Sequence, residues 1–401
     1  MQLQYDQFQI DAIMAAAAGG DIIITGGAGT GKTSIIKAIA ENRNGGVMLT
    51  APTGKAAARL REATGFDAST VHRALGYDGE EFRGAIAAKF NVPLIVDEAS
   101  MMDSNLMAHV IAQEPPQLIL VGDDAQLPPV GAGQPFHDLL RLRRDRVRRL
   151  EICHRNKEAV HAAALAIREG RRPMAQKTES ETFSMMQTGD GERTQEFIVN
   201  WFRTGALDPF QDVVLACRYG EEDGSGDIRG LNAAIMQAVN PHEPGERWRK
   251  RDRVMCNKNF SALDVWNGDM GTVTDVDTDG RAWVELDRAR EAGPLLLDRD
   301  VAKEFVHAWA LSVHKSQGSQ WRRVVFVCLR KHVHMLNRAL VYTAVTRAKA
   351  GCVVCGELDA FYGGINRVAG KQTVLQELGR KAEPAPEPVA ERMPTEEEVF
   401  G

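Results

Sequence analysis

Eight residues restrict this chain more than any others: Gly26-Gly27-Ala28-Gly29-Thr30-Gly31-Lys32-Thr33. They fit the pattern G-x-x-x-x-G-K-[ST] and stand between an apolar run, Ile22-Ile23-Ile24-Thr25, and a helical pattern over 32–42. Strand, glycine-rich turn and helix in that order make a cradle for phosphate. The glycines let the backbone curl until several N–H groups point inward. The helix N-terminus adds partial positive charge. Residues Gly27 to Thr33 therefore read as an ATP-binding loop, in which Lys32 reaches the β- and γ-phosphates and the Thr33 hydroxyl ligates Mg²⁺. A dinucleotide fingerprint fails: counted from Gly27, the last glycine of G-x-G-x-x-G falls on Lys32.

Such a loop needs a parallel sheet behind it. Val47 to Thr50, Pro93 to Val96 and Leu118 to Val121 are apolar runs of strand length, with helix patterns at 32–42, 54–64 and 103–112 between them. This alternation predicts a doubly wound α/β unit. Leu94-Ile95-Val96 leads straight into Asp97-Glu98. Acids at the C-terminal end of a buried strand, after such a loop, suit a nucleotide hydrolase. Asp97 would hold Mg²⁺, mostly through water, and Glu98 would orient and deprotonate the attacking water. A further strand ends in Gly122-Asp123-Asp124-Ala125-Gln126-Leu127-Pro128-Pro129, where Gln126 can sense the γ-phosphate.

A second α/β block follows residue 150, with strands expected at 212–216, 308–313, 323–329 and 351–356. Over 254–303 the pattern changes to short strands and tight turns, which predicts an inserted β-barrel. The tail from about 382 alternates Pro and Glu and reads as disordered. Its six glutamates and one arginine account for the whole formal charge of −5, leaving a nearly neutral body. Any polyanion must then be held by local basic groups and backbone donors. Two such clusters stand out, six Arg in 141–149 and five basic groups in 247–253. Each can contact phosphate, dock the tail or serve as a solvated face. The six cysteines are scattered. Cys352 and Cys355 lie in a strand-like run, where positions three apart point to opposite faces, so they read as buried and structural, not as a metal grip. No apolar run is long enough to span a membrane, and the first residues carry no signal core, so a cytoplasmic location is expected.

The ordered set of motifs resembles superfamily 1B DNA helicases, the RecD-like and Dda-like branch, over most of the chain to about residue 375. Leu3-x-x-x-Gln7 is similar to the glutamine motif that reads adenine. Ala51-Pro52-Thr53-Gly54-Lys55 resembles motif Ia, and Thr70-Val71-His72 the T-[IV]-H motif. Leu150 to Asn156 resembles motif IV, although the family more often has Gln in place of Asn156. Asn267 to Gly271 looks like the start of the family's SH3-like barrel. Ser312 to Gln320 resembles motif V, and Val341 to Lys349 motif VI.

The resemblance implies two RecA-like parallel-sheet P-loop domains. The first spans 1–150, with a small hairpin wedge at about 73–92. The second spans 151–253 and 304–378, the SH3-like barrel occupies 254–303, and the acidic tail 379–401. It implies a catalytic set of Lys32, Asp97, Glu98, Gln126, Arg155 and Arg347, with Thr33 and Asp97 on Mg²⁺ and Gln7 and Gly318 added to the ATP-binding residues. Pro52, Thr53, Lys55, Thr70, His72, His314 and Ser316 would contact single-stranded DNA. Phe82, Phe90, Phe260 and Trp266 can either stack bases or pack in cores. The implied activity is ATP-driven 5′-to-3′ movement on single-stranded DNA and at its junctions with duplex, in a bacterium or a phage-infected cell. Only 24 residues separate His72 from Asp97, so translocation is a firmer expectation than strong unwinding. The alternatives are a translocase that strips proteins from single strands and an ATP-gated subunit of a larger complex. A monomer is expected, with the tail either binding a protein partner or keeping the chain soluble.

Overall fold

The computed structural model describes residues 5–77, 90–154, 159–220, 224–288 and 292–368. Strands β1 (Ile22–Gly26), β2 (Met48–Ala51), β3 (Ala68–Thr70), β4 (Leu94–Val96), β5 (Leu118–Gly122) and β6 (Val147–Leu150) form one parallel sheet, in the order β3-β2-β4-β5-β1-β6. The apolar runs show no polar alternation because both faces are covered. Ile23, Leu94, Val96 and Leu120 enter the core on one side, and Ile22, Ile24, Ile95 and Val121 the core on the other. Edge strand β6 carries Arg148 and Arg149, charges that discourage pairing with another chain.

The helices Lys32–Asn42 and Gly54–Thr64 have the expected bounds. Thr53 caps the start of the second, its hydroxyl accepting from the Ala56 N–H, and Gly65 at φ +77° ends it. The expected helix at 103–112 begins at Ser104, because Asp103 is its cap.

After β6 come β7 (Gln176–Lys177), β8 (Thr182–Gln187) and β9 (Asp212–Ala216). The next five strands, β10 (Arg253–Cys256), β11 (Met270–Val276), β12 (Ala282–Leu286), β13 (Leu295–Leu297) and β14 (Phe305–His307), form a separate antiparallel sheet. Its order is β13-β12-β11-β10-β14, a half-barrel of SH3-like kind with its own core around Val254, Val284 and Phe305. Strands β15 (Ala310–Ser312), β16 (Trp321–Cys328) and β17 (Ala348–Gly356) then return to the second sheet, ordered β15-β9-β16-β17-β8-β7. That sheet is parallel except for the edge pair β7–β8, which the sequence pattern did not announce.

All six cysteines are buried free thiols. Cys352 and Cys355 enter the two different cores that flank the second sheet, as a period of two requires. No helix among the described residues is long and apolar enough to cross a membrane.

Candidate active site and nucleic-acid groove

The C-terminal ends of β1, β4 and β5 lie side by side and place the phosphate loop, Asp97-Glu98 and Asp123 together. Gly31 is the left-handed residue (φ +83°) that begins the helix at Lys32. A side chain there would also collide with Gln9. Lys32 Nζ donates to the Gly26 and Gly27 carbonyls at 2.8 and 2.9 Å, which holds it over the loop. Arriving phosphate oxygens would replace these carbonyl contacts with stronger charge-assisted ones.

A cavity of about 410 Å³ opens at this point. The first sheet's unit contributes Ala28 to Thr33, Asp97, Glu98 and Gln126 to its wall. The second contributes Gly318, Gln320 and Arg347. Two sites far apart in sequence thus share one cleft. Burial and the neighbouring Glu98 carboxylate push Asp97 up to about 7, against the Glu98 N–H that donates to it at 2.9 Å. Glu98 sits in left-handed backbone (φ 52°, ψ 35°), a costly conformation for a non-glycine residue. One of its carboxylate oxygens is buried with no hydrogen-bond partner among the described residues. Two crowded carboxylates, one with an orphaned oxygen, fit a site built around a cation and a water molecule. Thr33 and Asp97 both face it, which suits Mg²⁺.

Arg347 is 3 % exposed. It donates to the Thr343 and Ser319 carbonyls and to the Thr346 hydroxyl, so its guanidinium is oriented before any ligand arrives. Burial lowers its pKa, and Glu98 across the cleft opposes that shift. The halves are also stitched by Tyr342, which donates to Asp123 at 3.1 Å and accepts from the Ala28 N–H at 3.3 Å. Gln126, 4 % exposed, donates to the same Asp123 carboxylate oxygen. The Leu127 N–H donates to the Thr343 hydroxyl, and the Leu127 side chain is buried in the second unit's core. Arg155 lies outside the described residues.

Gln7 requires a correction. It is exposed and bonds Asp11 one helical turn on, away from the loop. Gln9 reaches the loop instead, donating from Nε2 to the Thr30 carbonyl at 3.1 Å. It also closes a capping box with Asp6, whose second carboxylate oxygen meets His154 Nε2. His154 N–H in turn donates to the Gly29 carbonyl. Gln9→Ala is expected to raise the KM for ATP several-fold, and Gln7→Ala to leave it unchanged. Steady-state kinetics on the two variants checks this, and equal effects would contradict the placement.

A second cavity, of about 360 Å³, lies on the other side of the Asp123–Pro129 loop. Pro52, Thr53 and His72 line it, with Tyr77, Pro128 to Gly131 and Gln317. The His72 and Tyr77 rings meet edge to face at 5.4 Å. Thr70 stays beside this groove as the cap of Val71–Ala74, its hydroxyl accepting from the Arg73 N–H.

Three of the expected contact residues lie outside this cavity. Lys55 donates from Nζ to the Gly268 carbonyl of the inserted sheet at 2.6 Å, and burial there lowers its pKa to about 8. Ser316 is fully buried, its hydroxyl donating to the Val313 carbonyl at 2.7 Å, so it shapes the turn. His314 is exposed but does not line the cavity. Among the aromatic candidates, Trp266 packs over Gly54, Phe90 is core and Phe260 borders the inserted sheet's core. Phe82 and most of the expected wedge, 78–89, lie outside the described residues, as does the acidic tail. Arg59, which belongs to no motif, also lines the nucleotide cleft and donates to the Gly318 carbonyl.

Residues 4–189 match the AAA domain family and residues 307–355 the UvrD-like helicase C-terminal domain. The chain is 34% identical to the ATP-dependent RecD2 DNA helicase of Deinococcus radiodurans, over 85% of this chain and 47% of that protein. It is 30% identical to the RecBCD enzyme subunit RecD of Mycolicibacterium smegmatis, over 92% of this chain and 74% of that one. The chain belongs to the RecD-like helicases of superfamily 1B. It spans about half of the Deinococcus relative and about three quarters of the Mycolicibacterium one. The RecD-like fold extends to solved Pif1 helicases. One structure, of two Pif1 helicases coordinating on forked double-stranded DNA, superposes with a TM-score of 0.55 at 19% identity, over 94% of this chain and 97% of that one. Bacteroides Pif1 with ADP-AlF3 and single-stranded DNA superposes with a TM-score of 0.53 at 18% identity, over 95% and 97%.

Proposed function

We propose that this RecD-like chain is an ATP-dependent DNA helicase or translocase that moves 5′ to 3′ on single-stranded DNA. The observation that carries this reading is the shared cleft. Lys32, Asp97, Glu98 and Gln126 face it from one sheet's unit, and Arg347, Gly318 and Gln320 from the other. Bound Mg²⁺ would supply charge neutralisation at the β- and γ-phosphates, held by Thr33 and Asp97. Glu98 takes the proton of the attacking water, Lys32 holds the phosphates, and Arg347 stabilises charge on the group being transferred. These groups belong to different halves, so binding draws the halves together and product release lets them part. Pro52, Thr53 and His72 grip the strand by phosphate and sugar, contacts that carry no base sequence. The polarity, the single-stranded track, a monomeric state and a cytoplasmic site of action rest on the superfamily 1B resemblance.

ATP hydrolysis measured with and without single-stranded DNA tests the reading. Strong stimulation by DNA, lost in Lys32→Ala, is expected. Forked duplexes with a single 5′ or 3′ tail then report polarity and unwinding. Hydrolysis indifferent to DNA would refute the motor. Two further readings have support. The 24 residues between His72 and Asp97 favour a translocase with little strand separation. The relatives named as RecBCD subunits favour a subunit acting within a larger complex.

A further inference from the structure

We infer that His242, Asp252 and His307 form a binding site for one divalent transition-metal ion, of the zinc class, at the root of the inserted sheet. The chain enters that sheet at Arg253, one residue after Asp252, and leaves it at His307, the last residue of β14. His242 follows the helix Ile228–Val239 of the second unit. The three side chains therefore join both crossings of the insert to the body that carries it.

The donor set has the right chemistry and spacing. Their ligand atoms all lie within 4.8 Å of one another. His242 Nε2 is 2.9 Å from one Asp252 oxygen, and His307 Nε2 is 3.2 Å from the other. Ligands about 2.0–2.1 Å from a tetrahedral Zn²⁺ stand roughly 3.3 Å apart, so small rotations admit the ion. Two imidazoles and a carboxylate, with water in the fourth position, make a known type of zinc shell. Asp252 is fully buried and the His242 side chain is 5 % exposed, while His307 at 24 % leaves solvent a way in.

The hydrogen bonds around the three residues point the same way. His242 Nδ1 lies 3.4 Å from the Glu246 carbonyl, an oxygen that can only accept. With the proton on Nδ1, the Nε2 lone pair is free to bind an ion beside the Asp252 carboxylate; with the proton on Nε2, the same contact is a hydrogen bond to Asp252. A ring nitrogen given to a backbone carbonyl is also the usual support of a metal-binding histidine. His307 is held by stacking on Trp309, with centroids 5.5 Å apart and planes at 12°, and by the Trp248 edge. Asn240 Nδ2 and the Arg249 N–H donate to Asp252 and fix the carboxylate.

The four arginines of 247–253 are drawn elsewhere. Arg247 bonds the Ala302 carbonyl, Arg249 the Pro241 carbonyl and Glu246, and Arg253 pairs with Asp287. Arg251 lies over the Phe210 ring. Bound metal would fasten the insert rigidly to the second unit, and it is independent of the nucleotide cleft.

The test uses the full chain, stripped with a chelator, dialysed and titrated with Co²⁺ in buffer holding excess Mg²⁺. One equivalent with visible ligand-field bands of low coordination number is expected, displaced by Zn²⁺. His307→Gln and His242→Asn should each weaken binding by at least about a hundred-fold, and Asp97→Asn should leave the stoichiometry intact. A wild-type chain that shows no such band overturns the proposal, whatever the variants do. So does a band that survives both histidine replacements or disappears with Asp97→Asn.

Discussion

Replacing Arg347 with alanine is expected to lower the DNA-stimulated ATPase rate by about three orders of magnitude. The guanidinium is buried, and among the described residues its hydrogen bonds run to its own neighbourhood, at Thr343, Ser319 and Thr346. It therefore reaches the cleft already oriented, and a γ-phosphate would not have to organise it. Charge that grows on the transferring group finds a fixed cation, which is the cheapest form of electrostatic help. Nucleotide affinity should change little by comparison, because the phosphate loop supplies most ground-state contacts. Arg347→Lys keeps the charge and loses the planar fork, so an intermediate rate is expected. Steady-state kinetics with saturating single-stranded DNA, beside binding of a fluorescent nucleotide, separates kcat from affinity. A fall of less than about tenfold in kcat would remove Arg347 from the reaction.

Asp97→Asn should act in two opposite directions. Hydrolysis supported by Mg²⁺ should drop on the order of a thousand-fold, since a metal-anchoring carboxylate contributes several kcal/mol to charge stabilisation. The ligand-free protein, in contrast, should melt at a higher temperature at pH 8. Burial and Glu98 push Asp97 up to about 7 in the fold. An unfolded aspartate ionises near 3.9. The folded state thus binds the extra proton between these values, and stability falls as pH rises from about 4 to about 7. Above that window the fold carries the full cost of the charge, and asparagine does not. Thermal melts of both proteins at pH 5 and pH 8 check this, with a clearly larger gap expected at the higher pH. A variant equally stable or less stable at pH 8 would show that the carboxylates are not in conflict.

The parts of the cleft that were legible in the sequence are those whose chemistry is local. The phosphate loop needs glycines, a lysine and a hydroxyl in fixed succession, and Asp97 needs only the end of a buried strand. The two cysteines of β17 obey a period of two that any strand imposes. Lys55 and Ser316 are the opposite case. Their surroundings are set by Gly268 and by the Val313 carbonyl, partners that no local pattern names. The glutamine lay between these cases. Asp6-x-x-Gln9 is a capping box visible in the sequence, but it overlaps Leu3-x-x-x-Gln7, and spacing alone does not choose between the two glutamines. The pair β7–β8 is too short to leave a periodic trace, with two residues on one side.

Leu127 belongs by chain to the first unit and by burial to the second. Its neighbour Gln126 borders the nucleotide cavity, and Pro128 to Gly131 border the groove. Six consecutive residues thus run from one cavity to the other across a buried leucine. The two halves cannot part at Leu127 without exposing its side chain, at a cost of about 1.5–3 kcal/mol. A change in the nucleotide cavity that shifted Gln126 would be passed along this one segment to the groove.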